Sequence, residues 1–360
     1  RFGNLGNILD FENLTKDNIY VLESPILSNS QFEKFVNFFG DSIKVLDCTF
    51  AIQNSLKKSL DYLCFEAEIA VREGYKHLIL SDKKISENRT VIPIILAFGA
   101  INSKLVNLGI RGFASINVQT GEALDTHSFA VLLGIGATTI NPYLAFDSIY
   151  QRYEKKLFGK FSYEECVRRY IKSVDNGLLK IMSKMGISVL SAYRGGCNFE
   201  TVGLSRAVVA EYFPGMASRI SGIGILGIEK KIKDLHKKAF EKNLLILPIG
   251  GIYKYRKSGE NHQYQGQLIH MLQHSEAINS YDVYKKYSRG IYNLPITNLR
   301  DLLAFKSSVK SIDINEVESV ASLRKRFGSG SMSHGALSAE AHKLSLIHIS
   351  EPTRRYAISY

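Results

Sequence analysis

Lys44–Asp82 reads KVLDCTFAIQNSLKKSLDYLCFEAEIAVREGYKHLILSD, and this stretch decides the fold class. Lys44–Phe50 is a short run rich in apolar and β-branched residues, which predicts a strand. Ser55–Arg72 carries apolar residues at helical spacing and ends before Gly74, where a left-handed cap is wanted. His77–Asp82 is a second strand-like run. Strand, helix and strand within forty residues spell a parallel β/α unit. The same order then repeats, with a helix over Ile92–Asn107 capped near Gly109, a strand at Ala114–Gln119, a helix at Asp125–Leu133 and a strand at Thr138–Asn141. Further along come a helix at Tyr163–Met182, a strand at Ile187–Ala192, a helix at Ile228–Lys242 and an apolar run at Leu244–Ile249 ending in Gly250 and Gly251. From Gln263 the chain is helix-rich and irregular. The expected fold class is therefore α/β, a wound sheet or a parallel β/α barrel-like domain from Lys44 to about Gly251, with helices outside the sheet or on both its faces. Asp82, Gln119, Asn141, Ser191 and Arg194 follow the predicted strands, on the rim where such folds build chemistry or a channel mouth.

Composition narrows the class. Of 360 residues, 45% are hydrophobic and 22% charged, the profile of a chain that buries a core. Arg1–Leu9 holds neither a cationic leader nor an apolar core, so no signal peptide is expected. The longest apolar run, Val91–Ile101, contains Pro93 and Gly99 and is shorter than the ~20 residues of a membrane span, so no membrane partner is expected. Cys48, Cys64, Cys166 and Cys197 stand far apart and read as reduced thiols, with no paired spacing for zinc or an iron–sulfur cluster. The net charge of +12 comes from scattered lysines and arginines. In Glu229–Lys242 the apolar Ile232, Leu235, Ala239 and Phe240 are expected to form one face and the lysines a solvated one. A basic nucleic-acid-binding module is the alternative that this charge allows.

Three motifs invite chemistry. Gly222, Gly224 and Gly227 satisfy G-x-G-x-x-G ahead of a helix, but Phe213–Ser221 does not read as a buried strand and no acid stands near Leu247, so a loop feeding a helix is expected instead of a dinucleotide site. His270 and His274 have the i, i+4 spacing of metal ligands without a third ligand, and are read as structural. In Phe327–His342, FGSGSMSHGALSAEAH, three glycines bracket Met332 and Ser333, and Ser338 can cap a helix with Glu340 in its first turn. Such a loop exposes backbone N–H groups to a flat ring or a phosphate.

Lys325–His342 carries K-R-F-x-x-G-x-M-S-x-G-x-x-S-x-E-A-H, which resembles the opening of the FMN-binding barrel of glutamate synthase large subunits. Upstream, LESPILSN (Leu22–Asn29), LILSD (Leu78–Asp82), INPYLAF (Ile140–Phe146), GLLKIMSKMGISVLSAYRGG (Gly177–Gly196), GMASRISGIG (Gly215–Gly224) and LRDLLAFK (Leu299–Lys306) resemble the family's central domain in order. Gly196 and Cys197 stand where the family has Ala-Gln, and His334 where an aromatic residue is common.

The resemblance implies residues 1–310 as central domain and residues 311–343 as the first strand, loop and helix of an FMN TIM barrel. It implies FMN contacts from Met332, Ser333, Gly335 and Ser338, with no catalytic residue in this stretch. It also implies an enzyme that makes glutamate from glutamine and 2-oxoglutarate. Ammonia released by an amidotransferase domain would pass along a tunnel that the central domain helps to wall, and reduced FMN would deliver the hydride. Electrons would come from a small NAD(P)H-oxidising subunit or from ferredoxin through an iron–sulfur cluster whose cysteines are not in this sequence. The expected compartment is the cytoplasm, or a plastid for a ferredoxin-dependent eukaryotic form. Leu344–Arg354, LSLIHISEPTR, resembles the in-frame translation of a transposase sequencing adapter, so residues 344–360 are set aside from fold reasoning.

Overall fold

In the computed structural model the described residues are 20–241, 250, 254–304, 306 and 310–327. The chain divides into two units, Arg1–Leu245 and Ile246–Tyr360.

The first unit is built on β/α alternation. Ser28 starts helix α1 (Asn29–Phe39) with a reciprocal capping box, its Oγ accepting from Gln31 N while Gln31 Oε1 accepts from Ser28 N. Strand β1 (Ile43–Asp47) follows, then a kink at Cys48 and strand β2 (Thr49–Ala51). The kink has a local cause: Asp47 Oδ1 accepts from Thr49 N and Thr49 Oγ1, which turns the backbone out of the first sheet. The predicted strand Lys44–Phe50 is thus two strands in two sheets. Helix α2 (Leu56–Arg72), strand β3 (His77–Ser81), strand β4 (Arg89–Val91), helix α3 (Ile94–Asn107), strand β5 (Ser115–Gln119), helix α4 (Thr126–Gly134) and strand β6 (Ile140–Asn141) follow in order. Gly74 has the expected positive φ, +94°, after α2. Pro93 delays α3 by two residues from its predicted start.

Strands β1, β3, β5 and β6 form one parallel sheet in that order, each joined to its neighbour by a helical crossover. Pro25–Leu27 runs alongside β6, Leu27 N donating to Ile140 O and Ile140 N to Pro25 O, both at 2.9 Å. Period-two alternation sorts the sheet into two faces. Leu46, Leu78, Leu80, Ile116, Val118 and Ile140 pack with α2, α3 and α4 in the main core, and Ile79 packs with Phe32 and Phe35 of α1 on the other side. Helices therefore cover both faces, as a parallel sheet requires. Among the described residues this sheet is open, and no closed barrel is formed.

Helices α5 (Tyr143–Glu154) and α6 (Tyr163–Lys184) continue the chain, followed by the short helix α7 (Leu190–Tyr193). The strand predicted at Ile187–Ala192 is therefore a helical turn. Val189 is exposed while Tyr193 is fully buried, and the sheet edge that a strand there would need is taken by Pro25–Leu27. Strand β7 (Glu200–Leu204), helix α8 (Arg206–Tyr212) and strand β8 (Ala217–Ile223) form a separate parallel pair, and helix α9 (Ile225–Ala239) follows. Its inner face is Ile225, Ile228, Ile232 and His236; Leu235, Ala239 and Phe240, expected on the same face as Ile232, are exposed. The apolar run Leu244–Ile249 lies outside the described residues.

In the second unit, helices α10 (Gly266–Ala277) and α11 (Tyr281–Tyr292) pack as a pair joined by a short turn, and helix α12 covers Val320–Phe327. Among the described residues no helix is long and apolar enough to cross a membrane.

Candidate functional site

The carboxyl ends of parallel strands are where an α/β sheet presents polar groups, because the crossovers leave a crevice there. Here Asp47, Ser81, Gln119 and Asn141 stand in register at those ends. Ser81 Oγ donates to Gln119 Oε1 at 2.9 Å, Gln119 Nε2 to Asn141 Oδ1 at 3.2 Å, and Asn141 Nδ2 to Leu27 O and Asn29 Oδ1, each at 3.0 Å. The row continues one residue pair deeper, where Thr139 Oγ1 donates to Asn117 Oδ1 at 2.7 Å. A polar ladder thus crosses the face that α1 covers, while the opposite face is apolar but for Lys44 on the edge strand. Between α1 and this ladder lies a cleft of about 550 Å³, lined by Asn29, Phe32, Glu33, Lys83, Gln119 and Asn141 among others.

Behind the row, Asp82 is fully buried. Its carboxylate accepts from Thr120 Oγ1 at 2.5 Å and from Gly121 N at 3.0 and 3.1 Å, and Tyr143 also bonds to it. Burial raises its pKa, and these hydrogen bonds oppose the rise. Tyr143 is pushed up in turn, first by burial and then by the charge of Asp82. Glu122 is exposed as a residue, but its carboxylate is drawn over the start of α3, where Oε2 accepts from Ile94 N at 2.7 Å. Pro93 at the cap position has no side chain for that task, so Glu122 supplies it from across the rim. Burial of the carboxylate and the nearby Asp82 push Glu122 up to about 7. Asp47 is held at the outer end by Arg89, Nη2 to Oδ2 at 3.0 Å.

Three of the five predicted rim residues, Asp82, Gln119 and Asn141, are brought together. Ser191 sits on α7 and is exposed. Arg194 lies at the opposite, amino end of the sheet, where Gly195 N donates to Gly134 O at the end of α4. Glu122 and Tyr143 were missed by sequence reasoning; the Pro at the start of α3 was the available signal for Glu122.

Gly222, Gly224 and Gly227 form a strand-to-helix turn, not the loop expected. A Cβ on Gly222 would stand 2.0 Å from Gly203 O, and one on Gly227 2.9 Å from the Cβ of Ile223, so packing accounts for these two, whereas at Gly224 a Cβ would meet only Ser205 Oγ at 3.7 Å. Phe213–Ser221 contains the start of β8, which is largely exposed, in keeping with the reading that it is no buried strand. His270 and His274 lie on α10, and among the described residues no group of three or more His, Cys, Asp or Glu could hold a metal ion. All four cysteines are free. Lysines of α9 make the solvated face, with Lys233 tied to Glu229 at 2.7 Å. Met332, Ser333, Gly335 and Ser338 lie outside the described residues, as do residues 344–360.

The glutamate synthase central domain matches residues 1–205, the stretch that holds the sheet, its crossovers and the polar row. The chain belongs to the glutamate synthase central-domain family. A conserved region in glutamate synthase matches residues 262–350. The glutamate synthase [NADPH] large chain of Azospirillum brasilense is 48% identical over 345 residues, covering 95% of this chain and 23% of that protein. The corresponding protein of Bacillus subtilis (strain 168) is 39% identical over 89% of this chain and 21% of its own length. The chloroplastic ferredoxin-dependent glutamate synthase of Spinacia oleracea is 36% identical over 95% of this chain and 22% of that protein. This chain spans about a fifth of the length of these glutamate synthases.

Proposed function

We propose that the chain acts as the central segment of a glutamate synthase, an oxidoreductase that makes glutamate from glutamine and 2-oxoglutarate. The observation that carries this reading is the pair of glutamate synthase matches, residues 1–205 and 262–350, in order along one chain. In this reading residues 1–310 bridge an amidotransferase domain and a flavin domain and help to wall the path of ammonia, and residues 311–343 begin the FMN barrel. The hydrogen-bonded polar row and its cleft suit a bridging role: the row's side chains are held by neighbours, and among the described residues it assembles no nucleophile with an activating base. Completion of the sheet into a barrel belongs to the same proposal.

FMN, which would supply the hydride, is assigned to Met332, Ser333, Gly335 and Ser338 through the K-R-F-x-x-G-x-M-S motif alone. The four cysteines of this chain do not fit an iron–sulfur cluster, since all are free and, among the described residues, none joins a group of ligands. Electrons from a small NAD(P)H-oxidising subunit or from ferredoxin are both kept, because relatives named for each donor align along nearly the whole chain. The cytoplasm, or a plastid for a ferredoxin-fed form, is the compartment this reading implies. The family matches lend the nucleic-acid alternative no support.

The test uses two proteins, the 360-residue chain and a protein of the relatives' length that contains it. The longer protein should form glutamate from glutamine and 2-oxoglutarate with reductant present; failure to do so overturns the reading. The chain alone should neither retain FMN nor form glutamate from ammonium, since an FMN barrel closes on its cofactor with loops from several strands. Stoichiometric flavin binding by the chain would show its flavin site to be self-contained.

A further inference from the structure

Most arginines of the first unit that carry hydrogen bonds are matched to carboxylates. Arg72 pairs with Glu68, Arg89 with Asp47, and Arg168 and Arg169 with Glu165. Exposed Arg206 donates to a carbonyl, Arg219 O, and two half-buried arginines are also without a carboxylate. Arg111 opens the 3-10 turn Arg111–Phe113 ahead of β5, and Arg194 caps the end of α7. The fold brings them to one place at the amino end of the sheet. Arg111 Nε donates to Asn102 Oδ1 on α3 at 2.6 Å and Nη1 to Ala114 O at 2.7 Å, while the residue after Arg194 is tied to the end of α4 through Gly195 N and Gly134 O at 2.8 Å. Gly136, just beyond α4, lies against Asn102. The turn ahead of β5, the end of α4 and the loop after α7 therefore converge there.

Both arginines are half-buried. The two bonds to Arg111 fix the plane of its guanidinium and leave donors on Nη1 and Nη2 over; the side chain of Arg194 makes no hydrogen bond or ion pair with any described residue. Burial lowers the pKa of both, and the charge of Arg194 adds to the effect on Arg111, with no carboxylate opposing it. Two like charges held near each other in a half-desolvated place repel, and an anion between them reverses the sign of that interaction. A guanidinium presents its N–H groups as a planar fork that matches two oxygens of a carboxylate or phosphate.

We propose that Arg111 and Arg194 together form a binding site for an oxyanion, a carboxylate or phosphate group, between the end of α4 and the turn ahead of β5. Arg111 is the pre-oriented member and Arg194 the one that closes on the ligand. The oxyanion is either a small molecule from solution or an acidic side chain from another part of a protein of the relatives' length. The inference does not depend on the proposed function.

The probes are inorganic phosphate and succinate, titrated into the 360-residue chain and followed by calorimetry and by the Nε–Hε resonances of arginine. Saturable binding is expected, weakened at least tenfold in Arg194→Gln, which removes no hydrogen bond or ion pair within the described structure, and partly kept in Arg194→Lys. The far-ultraviolet spectrum of Arg194→Gln checks that it is folded. The same titration on the longer protein separates the sources: retained binding marks a small-molecule site, whereas lost binding together with a lower melting temperature for Arg194→Gln marks an internal acidic side chain. If the chain shows no saturable binding of either anion, or Arg194→Gln binds as tightly as the parent, the proposal is overturned.

Discussion

His77 is an uncharged histidine in a place hostile to its charged form, and this makes stability depend on pH in a defined window. The ring is 5% exposed, its centroid lies 4.0 Å from that of Phe39 and 5.6 Å from that of Phe35, and Nδ1 lies 2.7 Å from Ser115 Oγ. Burial first, and the charge of Lys76 second, lower its pKa from 6.5 to about 4. The unfolded chain then binds more protons than the folded one between those values, so stability is full above pH 6.5 and is lost as pH falls towards 4. A depression of this size, at ~1.36 kcal/mol per unit, removes about 2 kcal/mol by pH 5 and about 3 kcal/mol by pH 4. Glu122 works the other way, because a carboxyl raised to about 7 favours the folded state at low pH and loses that advantage as pH rises from 4.5. The raw profile therefore mixes two slopes, and the informative quantity is the difference between the parent chain and His77→Gln, which cannot charge at any pH. Urea unfolding at half-unit steps from pH 4 to 8 should show the parent losing about 2–3 kcal/mol relative to the variant as pH falls below 6.5. A difference that stays flat across that range would show that His77 is not held neutral, and would refute the reasoning.

Replacing Gly99 of α3 by Ala would put a Cβ 2.4 Å from Phe213 Cε1 and 2.8 Å from the carbonyl oxygen of Tyr212, so a loss of about 1–3 kcal/mol is expected in thermal melts. A melting temperature equal to that of the parent would show that α3 and α8 are not packed as described. Asp125→Ala removes the N-cap of α4, where Asp125 Oδ1 accepts from Ser128 N at 2.9 Å, and should cost about 1 kcal/mol in urea, with Asp125→Asn recovering most of it. Tyr193→Phe leaves Ala130 O without the 3.1 Å bond from the phenol and should cost about 1 kcal/mol; no change would mean that water replaces the hydroxyl.

How far the fold was legible follows from which signals are local. The strands His77–Ser81 and Ser115–Gln119 and the helices Leu56–Arg72 and Thr126–Gly134 lay within a residue or two of their predicted bounds, because period, caps and the glycine after α2 are all written in neighbouring residues. Ile187–Ala192 failed for a non-local reason. Its apolar, β-branched content suits a strand, but a strand needs a free edge, and Pro25–Leu27, far away in sequence, occupies the edge beside β6. Leu235 failed similarly, since which side of α9 faces the core depends on where β4 and β8 stand.

The candidate site divides along the same line. Sequence by itself determined the family, through long ordered motifs, and the α/β alternation, through residue period. It also placed Asp82, Gln119 and Asn141 after strands, where a parallel sheet exposes its carboxyl ends. Only the tertiary structure decided that β2 and β4 leave the main sheet, that Asn141 reaches back to Leu27 and Asn29, and that Glu122 caps a helix whose own cap is a proline. It alone decided that Arg194 leaves the rim and joins Arg111 at the other end of the sheet. The physical reason is that period and capping act over three or four residues, whereas strand order, free edges and charge pairs are settled by packing between segments tens to hundreds of residues apart.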